Sequence, residues 1–281
     1  MSSHKHQQLL RNAFERVLNA FLLRGLVAGM SYRLGGLGRV RVTRQHVELD
    51  PERRLARPLR IGFASDFHAG PTTHPAVFDD LLAAIRAEAP DVLLLGGDYV
   101  CFDAANVAAL RTFLAGARAP LGTYAVIGNH DIWNGRALIE DTLRAGGAEV
   151  LVNRSVALPA PFGDVSVCGI DDPWTGEPSA SATFAGAGAV RIYLTHSPDG
   201  LYRLDRQRFD VAFAGHTHGG QIALPDGAPL FRPSGPNSRE FCYGRYDQPD
   251  NGPLIVSCGV GCSGIPLRLN ADPELLICTL R

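Results

Sequence analysis

The sequence predicts an α/β protein in which strands alternate with helices. Short continuous apolar runs, typical of buried strands, are separated by segments whose apolar residues recur at helical spacing. Such alternation builds a largely parallel sheet, and ligands bind at the carboxyl ends of its strands. The 281 residues are 46% hydrophobic and 20% charged, which is sufficient for one large core or for two domains.

The predicted elements follow one another from residue 39 to residue 280. Residues 39–48 alternate polar and apolar side chains, which predicts an antiparallel strand. Further strands are predicted at residues 59–65, 91–95, 123–127, 149–156, 164–170, 190–194, 209–214, 222–224, 254–260 and 274–280. Helices are predicted at residues 75–89, 104–117 and 136–145, with short ones within residues 171–188 and 201–206. Residues 225–252 form a predicted long loop of a kind that is usually functional or disordered.

Charge is distributed unevenly along the chain. Residues 1–60 carry 12 basic and 4 acidic side chains, a net charge of +8, and the remainder carries 15 and 24, a net charge of −9. An acidic body suits a site that gathers metal ions. The total of −1 gives no indication of a nucleic-acid polymer as partner.

Residues 7–30 form a predicted helix within an N-terminal unit of residues 1–35, which precedes a domain of residues 36–281. Arg16 and Arg24 interrupt its apolar run, and each would cost roughly 2.5–3.5 kcal/mol at mid-membrane, so we do not expect a membrane span. Two interpretations remain. The helix packs on the domain, or its basic, apolar-striped face lies on an anionic membrane surface, which would place a cytoplasmic protein on the inner face of the membrane.

The six cysteines form no Cys-x-x-Cys pair, and several lie in apolar strands. We therefore predict reduced, buried thiols, which favours a cytosolic setting. Cys258 and Cys262 are close enough in sequence that a disulfide or a zinc site is the alternative.

Five apolar strands end in side chains that can bind metal ions. These side chains are Asp66 and His68, Asp98, Asn129, His196, and His216 and His218. Residues i and i+2 on extended backbone point to the same side, so the two pairs are expected to converge. A single His-x-His is also compatible with a solvated loop, but five such strand ends predict one site at the edge of the sheet.

Four imidazoles, two carboxylates and one amide favour divalent transition metals over magnesium or calcium, which prefer oxygen ligands. Seven ligands are too many for one ion that must keep a position open, and they suit two ions that share a carboxylate. Ions roughly 3.5–4 Å apart can clamp both oxygens of an in-line displacement. They also lower the pKa of bound water towards about 7, which provides a metal-bound hydroxide at neutral pH.

The same residues carry a resemblance to a known family. In chain order, Asp66-x-His68, Gly97-Asp98, Gly128-Asn129-His130-Asp131, His196 and Gly215-His216-Thr217-His218 match the five-block signature of the calcineurin-like metallophosphoesterases. Residues 215–222 and 257–280 also resemble a small bacterial phosphodiesterase branch that includes peripheral-membrane hydrolases of nucleotide-linked lipids. The resemblance implies a four-layer α-β-β-α sandwich with two mixed β-sheets and the metal site at the strand C-terminal ends.

The resemblance also implies a role for each residue. Asp66, His68 and His218 would hold one metal ion, Asn129, His196 and His216 would hold the other, and Asp98 would bridge them. His130 would donate a proton to the leaving group and clamp a phosphate oxygen, with a purely structural histidine as the alternative. Manganese is the first expectation for both ions, and iron, zinc and nickel are the alternatives.

One departure from the family argues against a protein Ser/Thr phosphatase. Those enzymes continue the second block with an Asp-Arg pair, whereas this chain continues Asp98-Tyr99-Val100-Cys101-Phe102-Asp103. The Asp that would orient the catalytic histidine is replaced by Cys101. Asp131 and Asp103 remain candidates for that task.

The expected function is hydrolysis of a phosphodiester or pyrophosphate bond in a small-molecule substrate, with a lipid- or nucleotide-linked compound as the finer hypothesis. The lipid-linked version depends on the basic helix and on residues 225–252, because arginines suit phosphate and aromatic side chains suit a base or an acyl chain. The alternatives are a phosphomonoesterase with the same site and a non-catalytic metal-binding scaffold. The sequence does not determine the oligomeric state.

Overall fold

The structure is a computed structural model that describes residues 17–18, 20–232 and 235–281. Its strands are β1 (Arg41–Val47), β2 (Leu59–Ala64), β3 (Val92–Leu95), β4 (Thr123–Ala125), β5 (Glu149–Val150), β6 (Arg154–Ala157), β7 (Val165–Gly169), β8 (Val190–Leu194), β9 (Val211–Ala214), β10 (Gly244–Tyr246), β11 (Leu254–Val256) and β12 (Glu274–Leu280). Its α-helices are α1 (Leu26–Arg33), α2 (Ala76–Glu88), α3 (Arg111–Gly116), α4 (Asn129–Ala145), α5 (Ala180–Thr183) and α6 (Pro236–Glu240).

The strands form two mixed sheets of six strands each. The first has the order β1-β12-β2-β3-β4-β5, with β2 to β5 parallel and β12 antiparallel to β2. The second has the order β10-β11-β9-β8-β7-β6, and here β6 and β10 are the antiparallel edge strands. The predicted α/β class with two mixed sheets is confirmed.

Successive side chains on a strand point to opposite faces of its sheet, and their contacts show which face lies between the two sheets. On β3, Leu94 packs between the two sheets while Leu93 packs against the helices, because successive side chains point to opposite faces. On β9, Phe213 points between the sheets and Ala212 points outwards. Phe213 meets Phe63 of β2 with ring centroids 5.4 Å apart, so the sheets pack face to face.

The two outer layers are formed by helices of different length. Helices α2, α3 and α4 bury Leu81, Phe113 and Ile139 against the first sheet. The second sheet is covered by α5 and by the 3-10 helix Pro198–Arg203, with Phe184 and Leu204 packed on it. This is the four-layer α-β-β-α arrangement, with a fourth layer of short helices.

Two strand predictions need correction. The strand predicted as antiparallel at residues 39–48 is β1, which runs parallel to β12 at the edge of the first sheet. Its alternating sequence pattern carries no information about strand direction. The single strand predicted at residues 149–156 is divided between β5 and β6, which lie in different sheets. The chain turns between them at Asn153, whose φ is 51°.

Other boundaries also differ from the prediction. Helix α4 begins at Asn129, well before residue 136, and is interrupted at Gly135, whose φ is 136°. The helix predicted at residues 104–117 is a 3-10 helix, Ala104–Leu110, followed by α3. Residues 225–252 contain α6 and β10, whereas residues 222–224 form only isolated bridges. All six cysteines are buried and free, so no disulfide joins Cys258 and Cys262.

The predicted helix of residues 7–30 is not continuous where the structure describes it. Arg24 and Gly25 have φ of 53° and 98°, which ends one helical segment before α1 begins. Glycine adopts this left-handed conformation without steric cost, and the apolar periodicity did not reveal the break. Residues 7–16 of the prediction lie outside the described residues.

Helix α1 packs on the body of the protein through one side. Ala28 is buried, and Tyr32 stacks on His74 with centroids 4.8 Å apart and donates to Asp80 at 3.1 Å. Among the residues that the structure describes, no helix has both the length and the apolar character needed to cross a bilayer.

Candidate metal centre

Five strands deliver the predicted ligands to one place. Strands β2, β3 and β4 are neighbours in the first sheet, and β8 and β9 are neighbours in the second, with each set parallel. The carboxyl ends of parallel strands meet at one edge of a sheet. Asp66 and His68 follow β2, Asp98 follows β3, Asn129 follows β4, His196 follows β8, and His216 and His218 follow β9.

A left-handed backbone conformation orients most of these side chains towards the cluster. The backbone φ is 57° at Asp66, 43° at His68, 54° at Asp98, 70° at His216 and 54° at His218. The expectation that the i and i+2 pairs converge on extended backbone is therefore wrong, although the side chains do converge. Left-handed backbone at residues other than glycine costs of order 1–3 kcal/mol each and is concentrated at functional sites.

Two glycines permit the close approach of the turns. A Cβ at Gly128 would lie 2.2 Å from Oδ1 of Asp98, and one at Gly215 would lie 2.3 Å from Oδ2 of Asp66. Any side chain at either position would displace a carboxylate from the centre.

The side chains form two neighbouring triads whose ligand atoms lie within 4.8 Å of one another. One triad is Asp66, His68 and His218, and the other is Asp98, His196 and His216; His130 joins His68 and Asp98 in a third group. The two Nε2 atoms of His68 and His218 are 3.0 Å apart. Oδ2 of Asp98 lies 3.6 Å from Nε2 of His68 and 3.4 Å from Nε2 of His196, so this carboxylate stands between the triads.

Asn129 completes the cluster from the start of α4. Its Oδ1 lies 3.1 Å from Nε2 of His196. On the other side of the same ring, Nδ1 of His196 is 2.8 Å from the carbonyl oxygen of Gly96. A carbonyl only accepts, so Nδ1 carries a proton and Nε2 is the ring nitrogen that faces the cluster.

The pKa shifts of the buried imidazoles are compatible with binding of a metal cation. Burial lowers the pKa of His68 and of His216 to about 3, and it holds that of His218 well below its usual range, so these rings are neutral donors. Burial also opposes the charged form of His196, yet the Asp98 carboxylate raises its pKa well above the ordinary value. Nδ1 of His68 is buried without a hydrogen-bond partner among the described residues. Neutral nitrogen donors gathered around buried carboxylates are the donor set that divalent transition metals prefer.

The carboxylates are fixed by backbone N–H groups of other turns. The N–H of His216 donates to both oxygens of Asp66 at 3.0 Å, which ties the β9 turn to the β2 turn across the two sheets. The N–H of His130 donates to Oδ1 of Asp98 at 2.8 Å, which leaves Oδ2 facing the imidazoles.

Asp131 is a structural residue of the site whose role the sequence did not reveal. Its oxygens accept the backbone N–H groups of Asp98 and Tyr99, each at 2.8 Å, and that of Gly128 at 2.9 Å. Burial and the charge of Asp98 raise its pKa, whereas the N–H donors favour the carboxylate. Its position as third residue of α4, where a side chain can cap the helix start, was the available signal.

The other candidate for orienting His130 is also engaged elsewhere. Asp103 caps the 3-10 helix that follows it, with Oδ1 accepting the N–H of Ala105 at 2.8 Å. His130, the second residue of α4, presents its ring edge-to-face with His68, with centroids 4.8 Å apart and planes at 84°. It also lies 5.1 Å from the Trp133 ring, at the side of the cluster that opens outwards.

Arg268 lies behind the cluster and was missed by sequence reasoning. Its side chain is buried and donates to the carbonyl groups of Gly261, Cys258 and Ala271. Its Nη2 atom lies 3.3 Å from Nδ1 of His218. Its only signal in the sequence is a charged residue placed among the apolar residues of the C-terminal segment.

A cavity of about 600 Å³ opens in front of the cluster. Beyond the candidate metal-binding side chains, its lining includes Trp133, Trp174, Phe231, Arg232 and Ile265. Phe231 and Arg232 come from the long segment that the sequence singled out. The two tryptophans were not anticipated, and Trp174 is held by a hydrogen bond from Nε1 to Oγ of Ser197 at 3.3 Å.

Comparison with known proteins agrees with this geometry. The model of the calcineurin-like phosphoesterase family matches residues 59–220. Phosphodiesterase YaeI of Escherichia coli (strain K12) is 32% identical over 80% of this chain and 83% of its own. The uncharacterised metallophosphoesterase YkuE of Bacillus subtilis (strain 168) is 28% identical over 91% of this chain and 93% of its own. UDP-2,3-diacylglucosamine pyrophosphatase LpxG of Chlamydia trachomatis is 27% identical over 86% of this chain and 89% of its own.

The family match spans more than half of the chain and includes every residue of the cluster. Because a relative above 30% identity also aligns over most of both chains, the resemblance seen in the sequence is confirmed. The chain belongs to the calcineurin-like phosphoesterase family and is a metal-dependent phosphoric ester hydrolase.

Proposed function

We propose that the protein binds two divalent transition-metal ions and hydrolyses a phosphodiester or pyrophosphate bond. The observation that carries this proposal is the position of Asp98, whose Oδ2 stands between the imidazoles of His68 and His196. A carboxylate placed between two separate groups of donors is suited to bridge two ions. When bound, such ions supply Lewis acidity that lowers the pKa of water and draws charge from phosphate oxygens.

The proposed ligands divide as the resemblance implies. Asp66, His68 and His218 would hold one ion and Asn129, His196 and His216 the other, with Asp98 shared. Asp66, His68 and His218 form one of the triads in the structure, and Asn129 lies against His196 of the other. Manganese is the proposed ion at both positions, with iron, zinc or nickel as alternatives that fit the same donors.

His130 is proposed to protonate the leaving oxygen. It lines the cavity, and its backbone N–H is bonded to Asp98, so the ring is held beside the ion-binding atoms. A proton donor in this position neutralises the charge that develops on the leaving group. The ring also offers an N–H group to a phosphate oxygen.

The cavity favours a substrate with a group on each side of the phosphorus. Trp133 lies on the His130 side and Trp174 lies 6.0 Å from the His216 ring, so flat apolar surfaces are present at two sides of the cluster. Arg232 provides a cation for a further phosphate. These features support a diester or a pyrophosphate over a monoester, and a nucleotide-linked substrate over a simple alkyl ester. Relatives named as a phosphodiesterase and as a UDP-2,3-diacylglucosamine pyrophosphatase also support this choice.

We also propose that the N-terminal unit, residues 1–35, contacts an anionic membrane surface. Leu26, Met30 and Leu34, here called the apolar stripe, are spaced by four residues and are 67%, 61% and 84% exposed. Residues 17–47 contain five arginines and no acidic residue. An apolar stripe with basic residues beside it is the pattern of an interfacial helix. Failure of the protein to sediment with anionic vesicles would count against this contact.

Substrate preference separates the proposed activity from its main rival. With Mn²⁺ present, bis-p-nitrophenyl phosphate should be hydrolysed with a higher kcat/KM than p-nitrophenyl phosphate, since the cavity accepts groups on both sides of the phosphorus. A strong preference for the monoester would establish the phosphomonoesterase alternative instead.

Removing the shared carboxylate should impair metal binding. The substitution Asp98→Asn removes the negative charge between the two triads, so we expect Mn²⁺ affinity to fall on the order of 100-fold, or one of two ions to be lost. Isothermal titration and elemental analysis after dialysis measure both quantities. Asp103→Asn, a nearby acidic residue outside the cluster, is the matched control and should bind like the parent. Unchanged stoichiometry and affinity in Asp98→Asn would rule out a bridging role.

Removing the proposed proton donor should impair turnover while metal binding persists. His130→Ala is expected to lower kcat by about 10²–10⁴-fold, with a larger effect on substrates whose leaving group is an alkoxide than on p-nitrophenyl esters. Steady-state kinetics on both kinds of ester, with Mn²⁺ content measured in parallel, provide the comparison. His74→Ala alters a histidine that stacks on Tyr32 outside the cluster and serves as control. Parent-like turnover in His130→Ala would contradict the assigned role.

A further inference from the structure

The mouth of the cavity carries a second group of exposed apolar side chains. Leu224 and Leu230 lie on a short hairpin, and Ile265, Leu267 and Leu269 lie on the segment between β11 and β12. Each is between 41% and 53% exposed. We call these five residues the apolar rim. Contiguous exposed apolar surface on a soluble domain marks a site of interaction.

Backbone pairing places much of the rim on one face. Ile222 bridges Leu269 in parallel, and the antiparallel bridge of Ala223 with Pro229 sets Leu230 opposite Ile222. Side chains directly opposite each other on paired strands share a face, so Leu230, Ile222 and Leu269 form one row. Leu224, two residues beyond Ile222, joins the same side.

This row is continuous with the cavity. Ile222 lines the cavity, as do Phe231, which is 69% exposed, and Ile265. A group lying on the rim therefore reaches the metal-binding cluster along an apolar path.

The rim is also continuous with the apolar stripe of the N-terminal unit. A Cβ at Gly36 would lie 3.5 Å from Cδ1 of Leu267, and the N–H of Arg268 donates to the carbonyl oxygen of Gly36 at 2.7 Å. Leu34, the last residue of the stripe, is only two residues before Gly36. Rim and stripe thus meet at the end of α1.

The charged side chains beside the stripe and the rim indicate which kind of partner covers this surface. Arg24 and Arg33 flank the stripe, and neither has an ion pair within the described part of the chain. Arg232 lies at the cavity mouth beside the rim. Two acidic residues lie beside this surface: Asp226, at the hairpin tip, whose Oδ1 accepts the N–H of Ala228 at 3.0 Å, and Asp80, which accepts the hydroxyl of Tyr32 on α1. Exposed apolar side chains flanked by arginines suit the interface of an anionic bilayer.

We infer that the apolar rim and the apolar stripe dock together on an anionic lipid bilayer, so that the cavity opens directly onto the membrane. This inference rests on the proposed phosphoesterase function and assigns its substrate class. The substrate is an amphipathic phosphoester whose acyl portion stays in the lipid while its phosphate reaches the metal centre. The rim then replaces water around the part of the acyl chain that leaves the bilayer.

Vesicle sedimentation with rim variants tests the inference. The full chain is mixed with phosphatidylcholine vesicles that contain phosphatidylglycerol, or with phosphatidylcholine alone. We expect binding to the anionic vesicles that weakens as salt is raised. In Leu230→Glu/Leu269→Glu, the partition coefficient should fall at least about tenfold, because the free energy of burying two leucines is lost. Leu230→Ser/Leu269→Ser should show the same direction without added charge. Leu138→Glu, an equally exposed leucine on α4, should bind like the parent.

A water-soluble substrate separates failure of the docking surface from failure of the enzyme. Each rim variant should hydrolyse bis-p-nitrophenyl phosphate within about twofold of the parent, since neither leucine lines the cavity, and this also verifies folding. Parent-like vesicle binding by both rim variants would overturn the inference. So would light scattering that shows a dimer which the rim variants dissociate, because the occupant would then be a second copy of the chain. A parent that binds vesicles but hydrolyses no ester would refute the proposed function alone.

Discussion

The site depends on hydrogen bonds that backbone N–H groups donate to buried carboxylates. Asp66 receives the N–H of His216 from the other sheet, and Asp98 receives that of His130 from α4. Asp131 receives three more and thereby joins the start of α4 to the turn after β3. Hydrogen bonds to charged groups contribute about 1.5–3 kcal/mol each, which is comparable in size to the cost of a left-handed residue. Five such residues can therefore persist at the ends of the strands.

The two sheets make this network possible. Face-to-face packing through side chains such as Phe63 and Phe213 brings the ends of β2 and β9 together, so that turns from separate sheets share hydrogen bonds. The same packing buries the imidazoles, and burial keeps His68, His216 and His218 neutral. Rigid sheet cores hold the ligands, while the cavity lining comes from segments outside the main strands. In the proposed function, metal binding and substrate recognition therefore belong to different parts of the fold.

Much of the site was predictable because the pattern that marks each candidate ligand lies in the residues next to it in the sequence. Each ligand follows a continuous apolar run, and the carboxyl end of a buried strand is where parallel sheets bind ligands, so Asp98 and His196 could be placed without coordinates. The rest depends on contacts distant in sequence. The left-handed turns at Asp66 and His218 exist because remote N–H groups and neighbouring glycines permit them. Arg268 becomes part of the site only when the C-terminal segment folds behind His218.

Errors in element assignment have similar causes. Residues 149–156 look like one strand because half of them are Val or Leu, and only the turn at Asn153 sends the two parts to different sheets. The N-terminal helix breaks at Arg24 and Gly25, which are both left-handed although the apolar residues around them continue at helical spacing. Trp174 carried no periodic signal, since its place at the cavity depends on Ser197 in a separate turn.

Anomalous diffraction from crystals grown with Mn²⁺ tests the central claim most directly. The account predicts two peaks roughly 3.5–4 Å apart, one beside Asp66, His68 and His218 and one beside Asn129, His196 and His216, with Asp98 between them. A single peak, or peaks that Asp98 does not touch, would contradict it.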